Sequence, residues 1–96
     1  MQRRLIQRGG IRSAGYDAHL RILDIEFDTR RILRYENVGF EVADRFLTNA
    51  HPASYWHDQI EEDYACHEVT EEESQKAGHS NAKQAKDNLK RLFGDL

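Results

Sequence analysis

Within two successive runs, Leu23 to Phe27 and Leu33 to Tyr35, the apolar residues fall on every second position. Leu23, Ile25 and Phe27 form the first and Leu33 and Tyr35 the second, with Asp24, Glu26 and Arg34 between them. Strict alternation is the mark of extended chain with one face on a core. The loop between the runs decides whether the two apolar sets share that face. If it is Asp28-Thr29-Arg30, Phe27 lies opposite Arg31, Ile25 opposite Leu33 and Leu23 opposite Tyr35. A loop one residue shorter would turn one set outward. Three-residue hairpin loops end on a left-handed residue, where glycine costs least. Here that residue is Arg30, so the register predicts modest backbone strain in the loop. It also sets Arg34 across from Asp24 as a cross-strand pair on the outer face.

Around this hairpin, Ile11 to Tyr16 reads as a preceding strand ended by Asp17, which makes a three-stranded antiparallel meander. Val42, Ala43, Phe46, Leu47 and Ala50 then recur at helical spacing. His51-Pro52 interrupts that helix, since the residue before proline is pushed out of helical geometry. Ser54 reads as the cap of a second helix, with Trp56, Ile60 and Tyr64 on one stripe and His57, Asp58, Glu61, Glu62 and Asp63 outward. The predicted class is α+β, a meander packed against two helices over residues 11–66. Its predicted core is Leu23, Ile25, Phe27, Leu33, Tyr35, Val42, Phe46, Leu47, Trp56, Ile60 and Tyr64. Residues 1–10 read as a flexible basic arm hinged at Gly9-Gly10, and residues 67–80 as an acidic, polar linker. Asn81 would cap an additional amphipathic helix over 81–96, with Ala82, Ala85, Leu89 and Leu92 on one face. Such a helix is marginal alone, so it is expected to dock on the domain, pair with a second copy in a homo-oligomer, or order on a partner.

Ser13, Gly15-Tyr16-Asp17, Leu20, Phe27, Tyr35, Val38, Ile60 and Tyr64 follow one another as they do in the KTSC domain, and over residues 11–66 the chain resembles that family. The family is named for its occurrence at the C-terminus of some lysyl-tRNA synthetases and also exists as free-standing small proteins. This chain departs from the pattern at Leu33, where the family has tyrosine, at Arg30, where it has glycine, and at Gly39, where it has proline. His51-Pro52-Ala53-Ser54 replaces a turn of small residues. The resemblance implies the meander-and-helices fold, and the synthetase context implies RNA binding.

Charge is segregated along the chain. Residues 1–48 carry nine Lys/Arg against seven Asp/Glu, residues 49–75 none against eight, and residues 76–96 five against two. The acidic block should repel phosphate and attract basic protein surfaces. Asp58, Glu61, Glu62, Glu71, Glu72 and Glu73 are therefore the candidate contacts for a protein partner, such as a basic nucleic-acid-binding protein. The alternative is an RNA- or DNA-binding surface made of Arg3, Arg4, Arg8 and Arg12 with Arg30, Arg31 and Arg34 at the hairpin.

Other classes find little support. His67-Glu68 begins the zinc-protease pattern, but the second histidine would fall at Glu71. His57, Cys66, His67 and Glu68 lack the spacing of a convergent metal site. No nucleophile, base and orienting group stand in a recognisable arrangement. The expectation is a non-enzymatic binding module without cofactor. One cysteine and no apolar run of membrane-spanning length make it a cytoplasmic one. Its size also suits an accessory or inhibitor protein of a phage or other mobile element.

Overall fold

The computed structural model describes residues 1–76. A single antiparallel sheet runs in chain order through β1 (Arg4–Arg8), β2 (Ile11–Asp17), β3 (Ile22–Phe27), β4 (Ile32–Tyr35) and β5 (Cys66–Val69). Three helices accompany it, α1 (Phe40–Thr48), α2 (Pro52–Gln59) and α3 (Glu71–Lys76). The α+β class holds. The meander of three strands is the centre of a sheet of five, and the helix expected over 81–96 lies outside the described residues.

The β3–β4 hairpin has the expected register, with Leu23 opposite Tyr35, Asp24 opposite Arg34 and Ile25 opposite Leu33. Its loop closes through Arg30 N–H to the Phe27 carbonyl at 2.9 Å and Phe27 N–H to the Arg31 carbonyl at 2.9 Å. Arg30 has φ 72°, the left-handed geometry the register requires. On this face Leu23, Ile25 and Tyr35 join Ile11, Ala14, Val38, Ala43, Phe46 and Ile60 in one buried cluster. Phe27, Leu33, Val42, Leu47, Trp56 and Tyr64 pack partly buried around it. Trp56 meets Phe27 edge-on at 5.1 Å and donates its indole N–H to the Tyr35 hydroxyl at 2.9 Å. That hydroxyl sits so deep that burial pushes the Tyr35 phenol up to about 12.

The arm is not frayed. Residues 4–8 pair with β2, and Gly9-Gly10 is a two-residue hairpin turn with both residues at positive φ, 59° and 88°. That geometry matches the twist of the flanking strands and is open to glycine without steric cost. Upstream of β1, the Gln2 carbonyl passes so close to Gly15 that a Cβ there would lie 2.7 Å from it. Met1 is buried beyond that crossing, its amino group bonded to the Gln75 carbonyl at 2.5 Å.

The expected linker is also ordered within the described residues. Val69 is buried opposite Ile32 on the edge of β4. Thr70 then starts α3 through a reciprocal capping box: its N–H donates to Glu73 Oε1 and Glu73 N–H donates to its Oγ1, both at 3.1 Å. Nor does Ser54 cap α2. His51 occupies the cap position without a side-chain bond, and Pro52 takes the first helical position, where its missing N–H costs nothing. The helix ends at Gln59, so Glu61, Glu62 and Asp63 sit in the turns after it.

Candidate functional site

The positions shared with the family pattern account for themselves structurally. Tyr16 donates its hydroxyl to the Val38 carbonyl at 2.5 Å, tying β2 to the entry of α1. Asp17 Oδ1 accepts the N–H groups of His19 and Leu20 at 2.8 and 2.9 Å and closes the β2–β3 turn. Gly15 admits the crossing chain, and Val38 and Ile60 are fully buried. These residues build the frame rather than a reacting centre.

The opposite face of the sheet is less ordinary. Asp24 and Glu26 point there, and both are buried, not solvated as an outer face would have them. Two features bring this about. First, a bulge in β2 places Arg12 and Ser13 together opposite Glu26. Ser13 Oγ donates to Glu26 Oε1 at 2.8 Å, and Arg12 Nε lies 3.8 Å from the same oxygen. Second, α3 lies over this face. Arg3 Nε donates to Ser13 Oγ at 3.0 Å, its Nη1 to the buried Ser74 Oγ at 2.6 Å and its Nη2 to Glu71 Oε2 at 2.5 Å. Arg34 grips Asp24 with two bonds of 2.8 and 3.0 Å and reaches the Glu73 carbonyl at 3.3 Å. Every buried side-chain polar atom among the described residues has a partner.

The predicted nucleic-acid arginines are consequently divided among several parts of the surface. Arg3 and Arg34 are built into the polar layer. Arg4 and Arg8 donate to the Leu47 and Ala50 carbonyls at 3.0 and 3.1 Å, at and just beyond the end of α1, where cations are favoured. Arg31 pairs with Glu68 at 3.1 Å. Arg12 and Arg30 line one groove with Arg3 on the polar face, and the exposed Arg4 and Arg8 line another beside the end of α1.

The predicted acidic residues divide between the two sides of the sheet. Glu71, Glu72 and Glu73 belong to α3: Glu71 holds Arg3, Glu72 pairs with Lys76 at 3.7 Å, and Glu73 closes the capping box. Bonds from Gln75 and Arg3 hold the Glu71 carboxyl below its usual range, and the Thr70 bonds do the same for Glu73. Asp58, Glu61, Glu62 and Asp63 lie at the far end of α2, on the helical side. Asp58, Glu62 and Asp63 are exposed and have no ion pair among the described residues. Glu61 meets His57 Nδ1 at 2.9 Å and raises the imidazole above its ordinary value. Among the described residues no group of His, Cys, Asp and Glu could hold a metal ion, and no helix is long and apolar enough to cross a membrane.

The sequence profile of the KTSC domain matches residues 9–64, from the Gly9-Gly10 turn through the turns after α2. The chain belongs to the KTSC domain family. A crystal structure of a KTSC domain protein from Yersinia pestis is similar in fold. The TM-score is 0.68 at 24% sequence identity, covering 71% of this chain and 96% of that one. No curated protein matches the chain. In this KTSC protein, β1, β5 and α3 lie outside the matched residues, and they supply both sheet edges and the cover of the polar face.

The Arg12–Ser13–Glu26 arrangement had no sequence signature, because a bulge leaves none in a run such as Ile11-Arg12-Ser13-Ala14. The order of α3 did have one. Thr70-x-x-Glu73 is the capping-box spacing, hidden inside what reads as a simple acidic run.

Proposed function

We propose that this KTSC protein is a non-enzymatic protein-interaction module whose contact surface is centred on Asp58, Glu61, Glu62 and Asp63. The observation that carries this reading is the asymmetry in how charge is used. Most of the candidate arginines are bonded into the fold, whereas Asp58, Glu62 and Asp63 face solvent without ion pairs among the described residues. Four carboxylates within six consecutive positions concentrate negative potential at one end of the helical layer. Such a surface steers a basic partner toward it and discourages phosphate backbones. The partner class is a protein with a lysine- and arginine-rich face, as nucleic-acid-binding proteins present. Glu71, Glu72 and Glu73 are not part of this surface, since they serve the α3 cover on the opposite side.

The test is affinity capture from cell extract with the wild type and with D58N/E62Q/D63N, before and after nuclease treatment. A discrete protein that survives nuclease, weakens as salt rises and is lost with the variant supports the reading. Capture of nuclease-sensitive nucleic acid by both proteins would reject it in favour of an arginine surface.

A further inference from the structure

We propose that the groove on the polar face of the sheet, lined by Arg3, Arg12, Ser13, Glu26, Arg30 and Glu71, is a phosphate-binding site whose resident anion is Glu71. The groove encloses about 410 Å³ beside α3. Its floor is the Ser13–Glu26–Arg3 cluster. At its lip stand Arg12, which spends only its Nε on Glu26 at 3.8 Å, and Arg30, exposed at the hairpin tip with no ion pair among the described residues. Arg3 Nε and Nη1 hold Ser13 and Ser74, and its Nη2, 3.6 Å from Glu26 Oε1, already bonds an anion, the Glu71 carboxylate at 2.5 Å. That carboxylate is 58% exposed and belongs to a six-residue helix with one buried side chain, Ser74. It can leave without opening the apolar core.

The chemistry of the ligand follows from what it must displace. An intramolecular carboxylate competes at the high effective concentration of a tethered group, so an external monocarboxylate gains nothing by exchange. A terminal phosphate group carries nearly two charges at neutral pH, where a phosphodiester carries one, and three acceptor oxygens. It can take the place of Glu71 at Arg3 Nη2 while engaging Arg12 and Arg30 with charge-assisted bonds that Glu71 does not make. The buried Glu26 carboxylate repels any anion in the groove, and the guanidinium groups of Arg3, Arg12 and Arg30 offset that repulsion. The inference stands apart from the acidic surface, which lies on the other side of the sheet.

The test uses the full chain and inorganic tripolyphosphate, followed by amide and arginine Nε–H chemical shifts and by calorimetry. A nucleoside triphosphate and a short single-stranded oligonucleotide serve as parallel probes. Wild type should bind with shifts confined to the groove. R12A/R30A should lose at least tenfold in affinity, and E71Q should gain up to about fivefold, with amide dispersion showing that both remain folded. Tighter binding of tripolyphosphate than of the oligonucleotide is expected, since a phosphodiester carries a single charge, and the reverse order would overturn the terminal-phosphate assignment. Absence of binding by both wild type and E71Q at millimolar probe would overturn the proposal. So would affinity unchanged in R12A/R30A.

Discussion

Removing Arg34 should destabilise the protein more than removing the carboxylate it holds. Asp24 has no exposed surface and receives two bonds from Arg34, at 2.8 and 3.0 Å. Arg34→Ala therefore strands a buried carboxylate whose other nearby cation, the Met1 amino group, is bonded to the Gln75 carbonyl, and breaking a buried pair in this way costs about 3–5 kcal/mol. Asp24→Ala leaves the arginine in a milder position. The Arg34 side chain is 16% exposed and keeps the Glu73 carbonyl at 3.3 Å, so the loss is nearer the value of charged hydrogen bonds, about 1.5–3 kcal/mol. A domain of this size has about 5–14 kcal/mol of total stability, so the first variant removes a large share of it. Urea unfolding followed by the fluorescence of Trp56, the single tryptophan, measures each variant and D24A/R34A. The double variant should lose less than the sum of the singles, because it leaves no unpaired charge. Equal losses for the two singles, or a loss below about 1 kcal/mol for Arg34→Ala, would mean that water reaches Asp24. The polar layer beneath α3 would then be misassigned.

Phe46→Ala, at a side chain with no exposure, should cost about 3–5 kcal/mol as a core cavity, and an unshifted thermal melt would refute the packing of α1 on the sheet. Arg30→Gly should stabilise by about 0.5–1 kcal/mol. It relieves a left-handed residue worth about 1–2 kcal/mol and loses part of that to the freer unfolded chain; a lower urea midpoint would contradict the loop geometry. Acid should loosen α3 before the core. Glu71 and Glu73 are held below their ordinary 4.5, so their contribution is complete above that value and is lost as pH falls through the depressed folded values. Amide exchange at Ser74 should therefore accelerate while exchange at Ile25 stays slow, and simultaneous release of both would refute a separable cover.

How much of this was legible beforehand depended on how local the cause was. The β3–β4 register, the strained Arg30 and the Arg34–Asp24 pairing follow from alternation and loop length, both of which are written in sequence order. The strand β1 was hidden because its pattern, Arg4-Leu5-Ile6-Gln7-Arg8, does not alternate through a register shift, and Gln7 has φ 51°. The strand β5 was hidden by its length, and Cys66, His67 and Glu68 are all exposed at the sheet edge. Once both edges and α3 are in place, Asp24 and Glu26 are buried. The same segments tie Arg3 and Glu71 to each other and to the polar face. The acidic cluster needed no such long-range cause: Asp58 is exposed on α2 where the helical spacing put it, and Glu62 and Asp63 are exposed in the turns after the helix ends at Gln59.

The acidic surface is tested by comparative affinity capture, with wild type and D58N/E62Q/D63N run side by side, with and without nuclease, at low and physiological salt. A discrete, nuclease-resistant protein should be retained by wild type and lost by the variant, its recovery falling as salt rises. A partner held equally by both proteins, or nuclease-sensitive material alone, would contradict the assignment of that surface.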